Sequence, residues 1–186
     1  MKFFPASKKH QGYLLIELMV SLTIFSIVTT TSIGAVLAIV EANAKSQTTK
    51  AIMDNMSVAL ENISRSVRLG TNYSCISDHS VSTPCTTAGA AGISFTAQDG
   101  TIVEYFFKTQ VLYRFRFSTD VNPVQLTDLG IVIDTAKFYI NGAGSNDGQP
   151  RLFVVINGHS GLDNTLSQTS FVLQSTVTQR VQDPNQ

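Results

Sequence analysis

From Tyr13 to Val40 the chain reads YLLIELMVSLTIFSIVTTTSIGAVLAIV and carries one charge, Glu17. An apolar run longer than about 18 residues is long enough to cross a bilayer as a helix. Helix is the form it must take there, because hydrocarbon offers no partner to an open backbone. Lys2, Lys8 and Lys9 precede the run and no acid does. The positive-inside rule therefore predicts residues 1–12 in the cytoplasm and the remainder of the chain across the membrane. A secretory signal has an apolar core of only about 7–15 residues and ends at a small-residue cleavage site. This run is longer and meets the polar sequence at Glu41 without such a site. A plain anchor leaves Glu17 unexplained, since a carboxylate inside a spanning helix costs about 2.5–3.5 kcal/mol on insertion scales.

Pro5 interrupts any helix in the basic leader MKFFPASKKHQG. The residues Lys8-Lys9-His10-Gln11-Gly12, followed by Tyr13-Leu14-Leu15-Ile16-Glu17-Leu18, resemble the class III signal of type IV prepilins and of the pseudopilins of type II secretion. The resemblance is specific over residues 8–40 and architectural beyond them. It implies cleavage after Gly12 by a prepilin peptidase and N-methylation of the freed amine of Tyr13, where the family usually has Phe. It also implies assembly with other pilin or pseudopilin subunits on an inner-membrane platform. Within one helix Glu17 lies one turn from Tyr13. In the family the carboxylate is thought to meet the amine of a neighbouring subunit, and the high cost of an unpaired buried charge would then favour correct register. Pairing within its own chain is the alternative.

Val28 to Gly34 is rich in β-branched residues, which form helix poorly. Threonine hydroxyls can bond back to the helix backbone, so the sequence is compatible with a continuous helix, with a small-residue packing surface or with local extension on assembly. Beyond Val40, Ile52, Met56, Ala59, Leu60, Ile63 and Val67 fall on one face of an amphipathic helix that Gly70 ends. Helix from Tyr13 to Leu69 would extend roughly 85 Å at about 1.5 Å per residue. Four parts are expected: a leader at 1–12, a transmembrane or filament-core helix at 13–40, an amphipathic helix at 41–70 and a sheet-rich head at 71–186. The fold class is α+β, a long helix packed on an antiparallel sheet in the pilin manner.

Residues 71–92 are rich in Ser, Thr, Gly and Ala and read as a long surface loop. Strands are expected at Ile93–Thr96, Thr101–Lys108, Val111–Ser118, Ile131–Asn141, Arg151–Asn157 and Gln168–Arg180. In the third of these the odd positions are apolar, which places Arg114 and Arg116 on a solvated face. Asn62-Ile63-Ser64-Arg65-Ser66-Val67-Arg68 resembles minor pilins and the J-type minor pseudopilins, and so implies a minor subunit.

Charged residues make up 14 % and hydrophobic ones 43 %, a composition that does not point to disorder. Removing residues 1–12 takes away three lysines and no acid, leaving 10 basic against 13 acidic side chains. That balance gives no electrostatic case for nucleic acid, although a DNA-uptake pilus stays open as a variant. Cys75 and Cys85 read as a disulfide if the head is extracytoplasmic and as free thiols otherwise. No metal site and no cofactor are expected, because two cysteines with His79 do not supply four ligands. The loop 141–150 has oxygen side chains but a single carboxylate, so a turn is favoured over a calcium site. His10, His79 and His159 stand in no catalytic motif, Ser160 reads as part of a turn, and no enzyme activity is expected. The rival from a different class is a membrane-anchored binding domain or enzyme that never polymerises.

Overall fold

The computed structural model of the protein describes residues 13–143, 148–161 and 169–180. Among these residues helix α1 (Tyr13–Arg68) is followed by nine strands, giving an α+β architecture. The chain divides into two compact units, one ending at Ala44 and the other beginning at Lys45.

In the first unit α1 runs unbroken through the β-branched stretch. The hydroxyls of Thr29, Thr30, Thr31 and Ser32 donate to the carbonyls of Phe25, Ser26, Ile27 and Val28 at 2.7–3.0 Å. These bonds satisfy groups that would otherwise be unpaired in an apolar medium, and they offset weak intrinsic propensity. The large apolar side chains from Leu14 to Val40 are exposed, so among the described residues this surface has no protein partner. Among the described residues one helix is long and apolar enough to cross a membrane, with a mean hydropathy of 2.0 over its best window.

In the second unit two antiparallel sheets share the remaining half of α1. Six strands, β1 (Thr71–Asp78), β2 (Val81–Thr83), β3 (Gly92–Thr96), β4 (Ile102–Lys108), β5 (Val111–Arg116) and β6 (Val124–Gln125), lie in the order β2-β1-β3-β4-β5-β6. The second sheet is a meander of β7 (Ile131–Asn141), β8 (Arg151–Ser160) and β9 (Ser170–Thr178). A bridge between Ala90 and Phe138 links the two sheet regions. The helical stripe Ile52, Met56, Ala59, Ile63 and Val67 is buried against Phe95, Tyr105 and Leu112 of the first sheet and Phe138, Val154 and Ile156 of the second. A bulge in β7 between Ile133 and Thr135 shifts the alternation by one residue. That shift is why Ile131 and Ile133 face the core before it, and Ala136 and Phe138 after it.

Two expectations are corrected. Residues 71–92 are not one long loop: β1 and β2 form a hairpin there, and β1 is an interior strand paired with β3. Its register shifts twice and Asn72 has a φ of 54°, which erases the alternation that marks a strand in sequence. Gly158-His159-Ser160 is not a turn but the end of β8, paired with Ile131–Ile133. Glycine is required there because a Cβ at Gly158 would lie 2.5 Å from the Val132 carbonyl oxygen. As expected, α1 ends just before Gly70, at Arg68, and it does so without a left-handed φ at the glycine. Its role is space: a Cβ at Gly70 would come within 2.4 Å of the Phe95 ring.

The packing makes a direct prediction. Met56 is fully buried, whereas Val58 on the other side of the same helix is 71 % exposed. Met56→Ala should cost about 2–5 kcal/mol through lost contact and a residual cavity. Val58→Ala should stay within about 0.5 kcal/mol. Denaturant midpoints of the full chain in mild detergent measure both, and equal effects would contradict the packing described.

Candidate functional site

Glu17 sits one turn into α1, and its neighbours Leu14, Leu15, Ile16 and Leu18 are all exposed apolar residues. Its own side chain is exposed, and among the described residues no basic group lies within 4.0 Å of it. The Ser21 hydroxyl donates to the Glu17 carbonyl at 2.7 Å, which keeps the helix closed beside the carboxylate. Tyr13 is the first helical residue, while Gly12 and His10 lie outside the described residues. The described residues therefore supply no ion-pair partner for Glu17.

In the head, the two faces of β5 are the reverse of those expected from sequence. Leu112 is fully buried in the core, and Arg114 and Arg116 follow it on the same side, opposite Tyr105 and Val103 of β4. Tyr113, Phe115 and Phe117 lie on the other side of the sheet. Apolar alternation misled because Tyr113, Phe115 and Phe117 join an aromatic cluster outside the core, while on the other face only Leu112 enters it. Arg114 and Arg116 line a recess of about 430 Å³ with Arg65 and Ser66 of α1. At its wall the Tyr105 hydroxyl donates to Asn62 Oδ1 at 2.8 Å and stands 3.0 Å from Ser66 Oγ. Burial pushes the Tyr105 phenol above its ordinary range, opposed by the Ser66 hydrogen bond and by the fields of Arg114 and Arg116. Arg116 pairs with Asp99 at 2.9 Å.

The aromatic side holds a pair that sequence reasoning missed. His79, at the tip of the β1–β2 hairpin, places Nδ1 2.6 Å from Oε2 of Glu104, a side chain only 4 % exposed. The Ser80 backbone N–H also donates to that oxygen, at 3.2 Å. The His79 ring stacks on Phe106 and meets Phe115 edge-on at a centroid distance of 4.4 Å. Glu104 gave one signal in sequence, being a lone acid in an apolar strand; its partner lies 25 residues away. No described nucleophile completes the pair into a catalytic set, and His159 contacts a different acid, Asp134, at 3.2 Å. Ser160 is fully buried, and its hydroxyl accepts from the Thr169 N–H at 3.2 Å, a structural position.

Cys75 and Cys85 are joined, with an S–S distance of 2.02 Å, and tie β1 to the chain just beyond β2. Among the described residues no group of three or more His, Cys, Asp or Glu side chains is placed to hold a metal ion. Residues 144–147 of the loop weighed as a calcium site, together with Asp163 and Asn164 of the neighbouring loop, lie outside the described residues. No protein-family model matches the chain, and neither a curated protein nor a solved structure shows significant similarity to it.

The hairpin carries a pH-dependent contact. A hydrogen bond from Lys108 Nζ (2.8 Å), then one from the His79 N–H, hold the Asp78 carboxyl below its ordinary range. A depressed carboxyl contributes stability above its unfolded-state pKa and loses it as pH falls through the folded value. Lys108→Gln should raise the Asp78 titration midpoint, followed by carboxyl-carbon NMR. An unmoved midpoint would show that the Lys108 bond does not form.

Proposed function

We propose that the protein is a structural subunit, of the minor class, of a type IV pilus or a type II secretion-like pseudopilus. The observation that carries this reading is a single carboxylate, Glu17, inside an apolar helix long enough to cross a bilayer, five residues after a glycine preceded by lysines. An ion in such a helix is costly unless a counter-charge meets it. Cleavage after Gly12 creates that counter-charge as the α-amine of Tyr13.

In this reading the precursor is a single-pass membrane protein with a cytoplasmic leader and an extracytoplasmic head. A prepilin peptidase removes residues 1–12 and methylates Tyr13. The exposed apolar surface of Leu14–Val40 then passes from lipid to the helices of sister subunits, so its burial changes partner rather than being lost. Glu17 of one subunit pairs with the amine of the next and sets the stagger. An inner-membrane assembly platform drives the transfer. The head stays on the fibre surface, where the Cys75–Cys85 link suits an oxidising compartment. The minor class is supported by the motif from Asn62 to Arg68 and by a sheet-rich head, with nine strands among its described residues. The subunit performs no covalent chemistry and takes no cofactor.

Intact-mass analysis of the membrane-extracted protein, from hosts with and without a prepilin peptidase, tests the processing. The expected species with peptidase lacks residues 1–12 and carries one added methyl group, while the peptidase-deficient host yields the full chain. Full-length protein in both hosts would favour the monomeric, membrane-anchored domain.

A further inference from the structure

Five of the protein's six arginines gather around the end of α1, although the sequence spreads them from position 65 to position 180. Arg65 stands between two recesses. On one side it shares the 430 Å³ recess with Arg114 and Arg116, and on the other it shares about 270 Å³ with Arg68 and Arg180. Cations in a last helical turn complement the carbonyl end of a helix, which accounts for Arg65 and Arg68 alone. That end is also already capped by other donors. The Gly70 N–H reaches the Val67 carbonyl at 3.1 Å, the Arg180 N–H reaches the Arg68 carbonyl at 2.8 Å, and the Tyr73 hydroxyl adds a further bond to Val67. The guanidinium groups are not needed for that task.

The cluster is under-neutralised. Asp99 lies 2.9 Å from Arg116, Glu61 3.6 Å from Arg65 and Asp120 3.9 Å from Arg114. Among the described residues no carboxylate comes within 4.0 Å of Arg68 or Arg180. The Nε atoms of Arg114 and Arg116 are buried without an acceptor. Five guanidinium groups thus face three acids, in a chain whose bases and acids balance overall at 13 each. Like charges are brought together against their mutual repulsion, and an anion between them would relieve it. The fork of a guanidinium matches a planar carboxylate through paired hydrogen bonds. A rigid polyanion such as duplex DNA fits less well than a flexible acidic peptide, because Glu61, Asp99 and Asp120 are interleaved with the arginines and evenly spaced phosphates cannot turn away from them.

We propose that this arginine-lined face is a binding site for an acidic peptide segment of a partner subunit, with carboxylates seated between Arg65 and Arg180 and between Arg65 and Arg114. That the partner is another filament subunit rests on the function proposed above; the site itself does not. Charge complementarity favours such an occupant, since removal of the leader leaves each copy with more acids than bases.

Fluorescence anisotropy of labelled hexaglutamate, with the full-length protein in non-ionic detergent at moderate salt, tests the site without requiring assembly or cleavage. Its failure is therefore distinct from failure of the processing experiment. Hexaglutamate should bind and hexaglutamine should not. Arg65→Gln with Arg180→Gln should weaken binding about tenfold or more, as loss of charge-assisted hydrogen bonds would. Both side chains are exposed, so the fold should tolerate the change, and an unchanged thermal transition checks this. Arg65→Lys with Arg180→Lys should bind with intermediate strength, because charge is kept and the fork is lost. Lys137→Gln, at an exposed position of β7 between core-facing Ala136 and Phe138, should leave binding unchanged. Absence of hexaglutamate binding, or equal weakening by Lys137→Gln, would overturn the proposal. Tighter binding of duplex DNA of similar charge would also overturn it and reassign the face to nucleic acid.

Discussion

A carboxylate one turn into an apolar helix has to stay near water, become protonated or meet a positive charge, and each option constrains what surrounds it. The structure supplies Glu17 with no cation among the described residues and surrounds it with exposed Leu and Ile side chains. Every other part of the proposed function follows from where the missing cation comes from. An amine freed at Tyr13 solves the problem only in a processed chain. If the amine comes from a neighbouring copy, the solution also fixes how two copies align. The threonine-rich stretch after it keeps its backbone bonded through side-chain hydroxyls, which in the proposed function suits a helix that serves first in lipid and then among other helices.

The second half of α1 answers a different demand. A sheet with one apolar face needs a cover, and the stripe from Ile52 to Val67 provides it for two sheets at once. Both sheets meet the same helical face, so loss of that face would unfold the head as a unit. The Cys75–Cys85 link and the His79–Glu104 pair hold the β1–β2 hairpin from opposite ends, near its base and at its tip. The second unit is thereby stiffened at a place where the chain's own alternation is weak.

The long helix was legible because two periodicities marked it, an unbroken apolar run and then a stripe at helical spacing. The α+β class followed from alternation after residue 92. Strands β1 and β2 were not legible: a positive φ at Asn72, two register shifts and many small polar residues conceal the pairing that β3 and the disulfide impose. The two faces of β5 were inverted because Tyr113, Phe115 and Phe117 look like core residues, yet only Leu112 on the other side enters the core. Distance in sequence hid the rest. Nothing near Glu104 announces His79, and nothing near Arg65 announces Arg180, since tertiary folding alone joins them.

The central claim is that the Glu17 carboxylate is retained for subunit register and not for the stability of its own chain. Its most direct measurement compares wild type and Glu17→Gln for the fraction of protein recovered in sheared filaments, beside the thermal transition of the head. The account predicts that the variant stays in the membrane fraction with its head unfolding at the wild-type temperature. Filaments recovered from Glu17→Gln at wild-type yield would contradict it.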